Sequence, residues 1–293
     1  MAVKQDTIVR TDIGTTGYAR SVDFVSRFGR TWAGIRDILG ISNPIAKVPG
    51  QAIIAYNATV SLDASPAEGD EIPYSKVQLT PVVQDIAEIG KYCKGVSIEA
   101  VNSYGAAVAI EKTDDAFLNE LTGRVLNTFY TDLQGISTTT TGTGTAMQDS
   151  IAQAIGLARA EAERVGRDTS DMVVFVNTLD FYTYLGTAPI TIQSEFGLTY
   201  IENFMGASKV ILSPYITAGS VYATPASNLN FFYIDPAASD FARMDLNYIT
   251  DGITNLIGFA TVGNYNHAVG ECFAITGCKL FPELVNAVSK ITF

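Results

Sequence analysis

The chain has 293 residues, 47% of them hydrophobic and 17% charged, with a formal net charge of −11. That length and composition exclude general disorder and allow a core large enough to fold without disulfides or metals. An acidic body disfavours sequence-specific nucleic-acid binding, which needs a basic face to neutralise phosphates; the one basic stretch is residues 1–50, with seven Lys or Arg against four Asp. Cys93, Cys272 and Cys278 are too few and too irregular for a disulfide framework and suggest a reducing compartment. The opening MAVKQDTIVRTDIG has no apolar signal region. The uncharged stretches Val210–Ile234 and Gly252–Gly270 hold too many Ser, Pro, Gly and Asn residues to lie in lipid.

Residues 1–48 read as an arm. Tyr18, Val22, Val25 and Phe28 predict one short amphipathic helix, and Trp32, Ile35, Ile38 and Leu39 a second one ending at Gly40. Residues 51–87 read as a β-hairpin with limbs QAIIAYNATVSL and KVQLTPVVQDI, joined by the acidic turn DASPAEGDEIP. Limbs of that length would reach roughly 36 Å at strand rise. A two-stranded ribbon is marginal alone in water, so this one is expected to lie across another surface.

A long helix is predicted from Thr113 to about Leu133, with Thr113 as N-cap, Asp114 and Asp115 on the positive end of the dipole, and Leu118, Leu121, Val125, Phe129 and Leu133 at helical spacing. GISTTTTGTGT (135–145) reads as a linker and domain boundary. A second helix is expected to start on a Thr145–Gln148 capping box, with Met147, Ile151, Ile155, Ala158, Ala162 and Val165 buried and Gly166 ending it. Beyond it come a buried strand at Met172–Val176, a short helix at Leu179–Leu185, strands at Lys209–Leu212, Val221–Thr224 and Leu229–Ile234, and a strand-rich stretch from Thr254 to Phe293. This order gives an α+β fold rather than regular βαβ alternation.

No constellation carries chemistry. The single histidine, His267, has no serine elbow to serve and reads as a strand or turn residue. His267, Cys272 and Cys278 match no zinc spacing. Cys93 lies beside Lys91 and Lys94 but has no base, and the Gly/Thr run before the second helix lacks the lysine of a P-loop. Glu68, Asp70 and Glu71 lack the spaced oxygens of a calcium loop. No catalytic residue, metal or cofactor is therefore expected.

The order of arm, acidic-tipped hairpin, long helix and mixed domain resembles the major capsid proteins of tailed bacteriophages. Local sequence adds to it: KVPGQAIIAY, AEGDEIPYSK and KYCKGVSIEAV resemble the extended-loop region of capsid proteins from phages and prophages of low-GC Gram-positive bacteria. DMVVFVNTLDFYTYLG, FGLTYIENFMGASKVILSPYI, VYATPASNLNFFYID and DLNYITDGITNLIGFATVGNYNHAV resemble the apical domain and the return to the peripheral domain.

The resemblance implies the tailed-phage capsid fold: an N-terminal arm (1–48), an extended loop (49–88), a peripheral domain with its spine helix (89–136 and about 240–270) and an axial domain (137–239 and about 271–293). It implies pentamers and hexamers of an icosahedral shell around packaged double-stranded DNA, held without sequence specificity, in a virion assembled in the host bacterial cytoplasm. Its partners would be other copies of itself, a separate scaffolding protein and a portal, with no membrane. Inter-subunit contacts are expected from Trp32, Ile53, Ile54 and Tyr56, with Glu68, Asp70 and Glu71 setting register; Trp32 reads equally well as a core residue of its own chain. An encapsulin-like shell around a cargo enzyme is the alternative. An enzyme using His267 and a monomeric binding module are the other classes. Only about 48 residues precede the hairpin, so no large N-terminal piece is expected to be removed; no motif assigns a Lys–Asn pair, so no isopeptide cross-link is expected. Intact mass of subunits from purified particles checks this: a loss of tens of residues, or covalent ladders on a denaturing gel, contradicts it.

Overall fold

Residues 7–39 contain no proline. In the structure, a computed structural model that describes residues 7–40, 44–47, 53–72, 74–84, 89–138, 140–186 and 191–293, they form one helix, α1 (Thr7–Leu39), rather than the two short ones that the spacing predicts. The apolar runs join into a single buried stripe through Phe24, Phe28, Trp32, Ile35 and Leu39. Gly29 and Gly34 do not break the helix. They let neighbours approach it: a Cβ on Gly29 would lie 1.9 Å from Asp251 Oδ2, and one on Gly34 would lie 2.3 Å from the Phe196 ring. Gly40, at φ +73, ends the helix.

The chain continues through β1 (Pro44–Lys47), β2 (Ile53–Ser61), β3 (Lys76–Gln84), β4 (Gly90–Ser97), α2 (Ile98–Tyr104), a π-helical turn (Ala107–Lys112), α3 (Thr113–Gln134), β5 (Thr141–Thr143) and α4 (Met147–Arg164). Then come β6 (Met172–Asn177), α5 (Thr178–Leu185), β7 (Gln193–Glu195), β8 (Leu198–Phe204), β9 (Ala207–Ser213), β10 (Ser220–Pro225) and β11 (Leu229–Ile234). The last elements are α6 (Ser239–Ala242), β12 (Ile257–Asn264), β13 (Val269–Thr276), β14 (Cys278–Pro282) and β15 (Ser289–Thr292).

The strands form a seven-stranded sheet in the order β5-β15-β10-β6-β9-β8-β7, two three-stranded sheets, β1-β11-β14 and β12-β13-β4, and the hairpin β2-β3. Residues 49–86 are one compact unit, and the rest of the chain is another.

Strand β6 is buried along its whole length because both faces of the large sheet are covered. Met172, Val174 and Val176 meet Met147, Ile151, Ala154 and Ile155 of α4. Val173 and Phe175 join a larger core with α1 and α3. There Phe24 stacks on Phe259 with centroids 4.1 Å apart, Trp32 meets Phe231 at 5.5 Å, and Phe129 meets Phe175 at 5.8 Å. Helix α1 thus touches strands of both a small sheet and the neighbouring β11. The domain boundary expected near residue 270 falls inside β13, which pairs with β12 and β4 as far as Thr276.

Four local expectations are corrected. Helix α3 does not start on a Thr113 cap: the π-helical turn runs straight into it, and Thr113 Oγ donates back to the carbonyls of Ala109 (2.7 Å) and Ile110 (3.0 Å). The threonine run is not a free linker, because Thr141–Thr143 pairs in parallel with β15 and Thr138 Oγ donates to Val288 O at 2.6 Å. At the start of α4, the acceptor for Thr145 N and Oγ is Asp149 rather than Gln148. Val165 is exposed, since it follows the last turn of α4.

Trp32→Ala should lower the unfolding free energy by about 3–5 kcal/mol, the cost of emptying a large buried site. Chemical denaturation of the purified chain measures it; a loss below about 1 kcal/mol would show that the helix does not hold the core.

Candidate assembly surfaces

The hairpin has two nine-residue strands in register from Ile53↔Gln84 to Ser61↔Lys76. Each spans about 30 Å at strand rise; residues 51–52 and 85–87, which the reading from sequence includes, lie outside the described residues. Pro81 opposes Tyr56, a position open to proline because each strand of a two-stranded ribbon has a free edge. The connecting loop turns at Gly69, with φ +91, and Asp70 N donates to Ala67 O at 3.1 Å. Asp63 N donates to Ser75 Oγ across the base of the loop.

Among the described side chains of residues 53–84, every one except Pro66 is exposed. The apolar ones include Ile54, Leu62, Ile72, Tyr74 and Val77. Such a ribbon has no core of its own. Glu68, Asp70 and Glu71 all lie exposed in the loop, which carries Asp63 as well and no Lys or Arg between residues 62 and 75. The backbones of Ile53 and Tyr56 lie in β2, and their side chains are outside the described residues. Trp32 is at 1% exposure, so of its two readings the structure places it in the core of its own chain.

The body is organised differently, around a buried carboxylate. Asp114, in the first turn of α3, was expected to face the helix dipole. Instead its side chain is 5% exposed and accepts from Arg20 Nε (2.7 Å) and Nη2 (2.6 Å) and from Lys94 Nζ (2.5 Å). Burial alone would raise the carboxyl's pKa; the hydrogen bonds and charges of Arg20 and Lys94 outweigh it and hold the group below the ordinary carboxylate range. Three elements meet there: α1, β4 and α3. Arg27 Nη1 joins Asp115 at 2.6 Å about two turns further along α1. At the other end of α3, Asp132 accepts from Lys279 Nζ and Leu280 N of β14. Sequence offered no signal for the Asp114 cluster, since its members are 94 and 20 residues apart.

His267 is exposed in the turn between β12 and β13. Cys93 is exposed on β4, whereas Cys272 and Cys278 are buried. Burial, with Asp132 adding to it, pushes the Cys278 thiol up to about 12. Among the described residues, no group of three His, Cys, Asp or Glu side chains could hold a metal ion, and no helix is long and apolar enough to cross a membrane.

Comparison with solved structures decides the fold. The capsid asymmetric unit of cyanophage A-1(L) aligns over 87% of this chain and 91% of its own, at a TM-score of 0.61 and 13% identity. Its fold is that of tailed-phage capsid proteins. Microbacterium phage Oxtober96 aligns over 87% of this chain and 90% of its own, with TM-score 0.56 and 13% identity. An encapsulin complex from Synechococcus elongatus aligns over 85% and 83%, with TM-score 0.54 and 10% identity. No family model matches the chain, and no curated protein matches its sequence.

Asp114→Asn should destabilise the body by about 3–5 kcal/mol, because two cations lose a buried partner. The sign with pH follows from the lowered pKa. The stabilisation is complete above the unfolded carboxylate value, about 3.9, and is lost as pH falls through the lower folded value. Thermal unfolding from pH 7 to pH 2 measures both; a variant that matched the parent chain at pH 7 would contradict the role of Asp114.

Proposed function

We propose that the chain is the major capsid protein of a tailed bacteriophage, assembling as pentamers and hexamers of an icosahedral shell around packaged double-stranded DNA. The observation that carries this reading is the hairpin: a ribbon with every described side chain but one exposed, five large apolar groups among them, and no core of its own. It gains a stable setting by lying over an adjacent subunit. Likeness of fold to phage capsid structures supports the same reading. Many weak contacts of this kind make a shell cooperative through multivalency.

In this reading Ile54 contributes apolar contact, joined by Ile53 and Tyr56 of the same strand, while Glu68, Asp70 and Glu71 set register against cations on the neighbour. The scaffolding function comes from a separate protein, DNA enters through a portal, and assembly takes place in the host bacterial cytoplasm. The acidic body encloses DNA by confinement rather than by binding it. Kinship with phages of low-GC Gram-positive bacteria rests on the local sequence around the hairpin.

Electron microscopy of the purified chain tests the proposal. Closed shells of uniform diameter are expected, and particles from infected or induced cells should contain DNA. A monomer of 31.4 kDa on sizing would overturn it, and shells filled with a cargo enzyme and no DNA would favour the encapsulin reading. Replacing Glu68, Asp70 and Glu71 together by their amides should lower assembly yield without changing the thermal stability of the unassembled chain; an unchanged yield would remove the tip from the mechanism.

A further inference from the structure

Two consecutive hairpins at one edge of the large sheet turn in the same way. Strands β7 and β8 pair Glu195 with Leu198 across Phe196 and Gly197, and β8 and β9 pair Phe204 with Ala207 across Met205 and Gly206. Both residues of each turn are left-handed, with φ of +51 and +78 in the first and +53 and +87 in the second. Two-residue hairpins favour this backbone, and Asn-Gly is the sequence that fills it with least strain. A phenylalanine at such a φ is a steric outlier, and it persists only where its surroundings hold it there.

What holds Phe196 is α1. A Cβ on Gly34 would lie 2.3, 2.5 and 2.6 Å from three carbons of the Phe196 ring, so the ring fills the space that a side chain at 34 would need. The residue stays 45% exposed; it is a clip on the helix surface and not part of the core. Behind the turn, Leu198 and Tyr200 are buried in the core that includes α1. Lys209 Nζ of β9 adds a tie to Asp37 O at 2.9 Å, about one turn past Gly34. In front of the turn, β7 is the last strand of the sheet, three residues long and exposed throughout. An edge so short and so little buried has a low cost of local opening.

We infer that residues 193–200 form a strap across α1 with Phe196 as its latch, and that the strap opens as a unit while the rest of the body stays folded. Closed, the contact of the ring with Gly34 offsets the strain of the turn. Open, the turn relaxes, Leu198 and Tyr200 meet water, and the end of α1 loses a tie to the large sheet. Intermediate positions are disfavoured, because a ring that is partly unseated keeps the strain and loses the contact. The device belongs to the body alone and does not depend on what the chain assembles into.

Hydrogen exchange read by mass spectrometry on the purified full chain tests the latch, with the buried strand β6 as the reference for global opening. Residues 193–200 are expected to exchange at least about tenfold faster than β6. Phe196→Asn gives the turn its favoured sequence, yet it should speed exchange of the strap about tenfold further and leave β6 within about twofold. Met205→Asn, the same kind of change in the same backbone, should not speed it. Gly34→Ala should displace the ring and speed the strap as Phe196→Asn does. Once Phe196→Asn is present, Gly34→Ala should leave strap exchange unchanged and raise Tm by about 2 °C, since alanine suits a helix better than glycine. A strap that exchanges at the β6 rate, one that Phe196→Asn leaves unchanged or slows, or an equal effect of Gly34→Ala in both backgrounds would overturn the latch. If Gly34→Ala does not fold, the two turn variants decide, because each places a favoured residue at a partly exposed turn.

Discussion

A carboxylate taken out of water costs several kcal/mol unless its lone pairs and its charge are met in place. Asp114 is met by a bidentate guanidinium and an ammonium, each from a different element. That requirement admits few arrangements of α1, β4 and α3, because moving any one of them strands a buried charge. The apolar core supplies most of the gain from folding, but it is tolerant of small slides. The ionic junction is what sets the relative position of the arm helix, the strand leaving the hairpin and the long helix.

The rest of the body builds outward from that junction. Along α1, Phe24 stacks on Phe259 of the small sheet, Trp32 packs on Phe231 of β11, and Lys209 Nζ of β9 donates to Asp37 O near the helix end. One helix thus serves as a common floor for sheets that are otherwise separate. The hairpin obeys different physics. Its two strands pair only with each other, so each keeps a free edge, and its described side chains find no interior.

Much of this was legible in the sequence. Met172–Val176 read as a buried strand because five apolar residues stand in a row between a polar turn and a capping Asn177. The hairpin was legible from β-branched limbs around an acidic, Pro- and Gly-bearing turn. The features that sequence hid are tertiary. The glycines at 29 and 34 suggest a break until the groups that press against them are known. A threonine run looks like a linker unless the strand that pairs with it, almost 150 residues on, is in view. Asp114 and Asp115 look alike next to one another, and only the fold buries one and leaves the other half-exposed. Ile54 and the loop carboxylates were expected at the surface from local pattern and are exposed, whereas Trp32 was ambiguous because an aromatic at helical spacing suits a core and a contact equally.

Strand β15 lies inside the large sheet, between β5 and β10, and not at its edge. Its residues, Ser289–Thr292, are made long after those of either neighbour. During synthesis the sheet must therefore wait with a gap between two strands that do not pair with each other, and Ile291 must fill its place beneath α4 last. The last strand to be made is therefore the one that closes the large sheet. The hairpin, by contrast, pairs residues that are close in sequence and needs no later strand to complete its ladder.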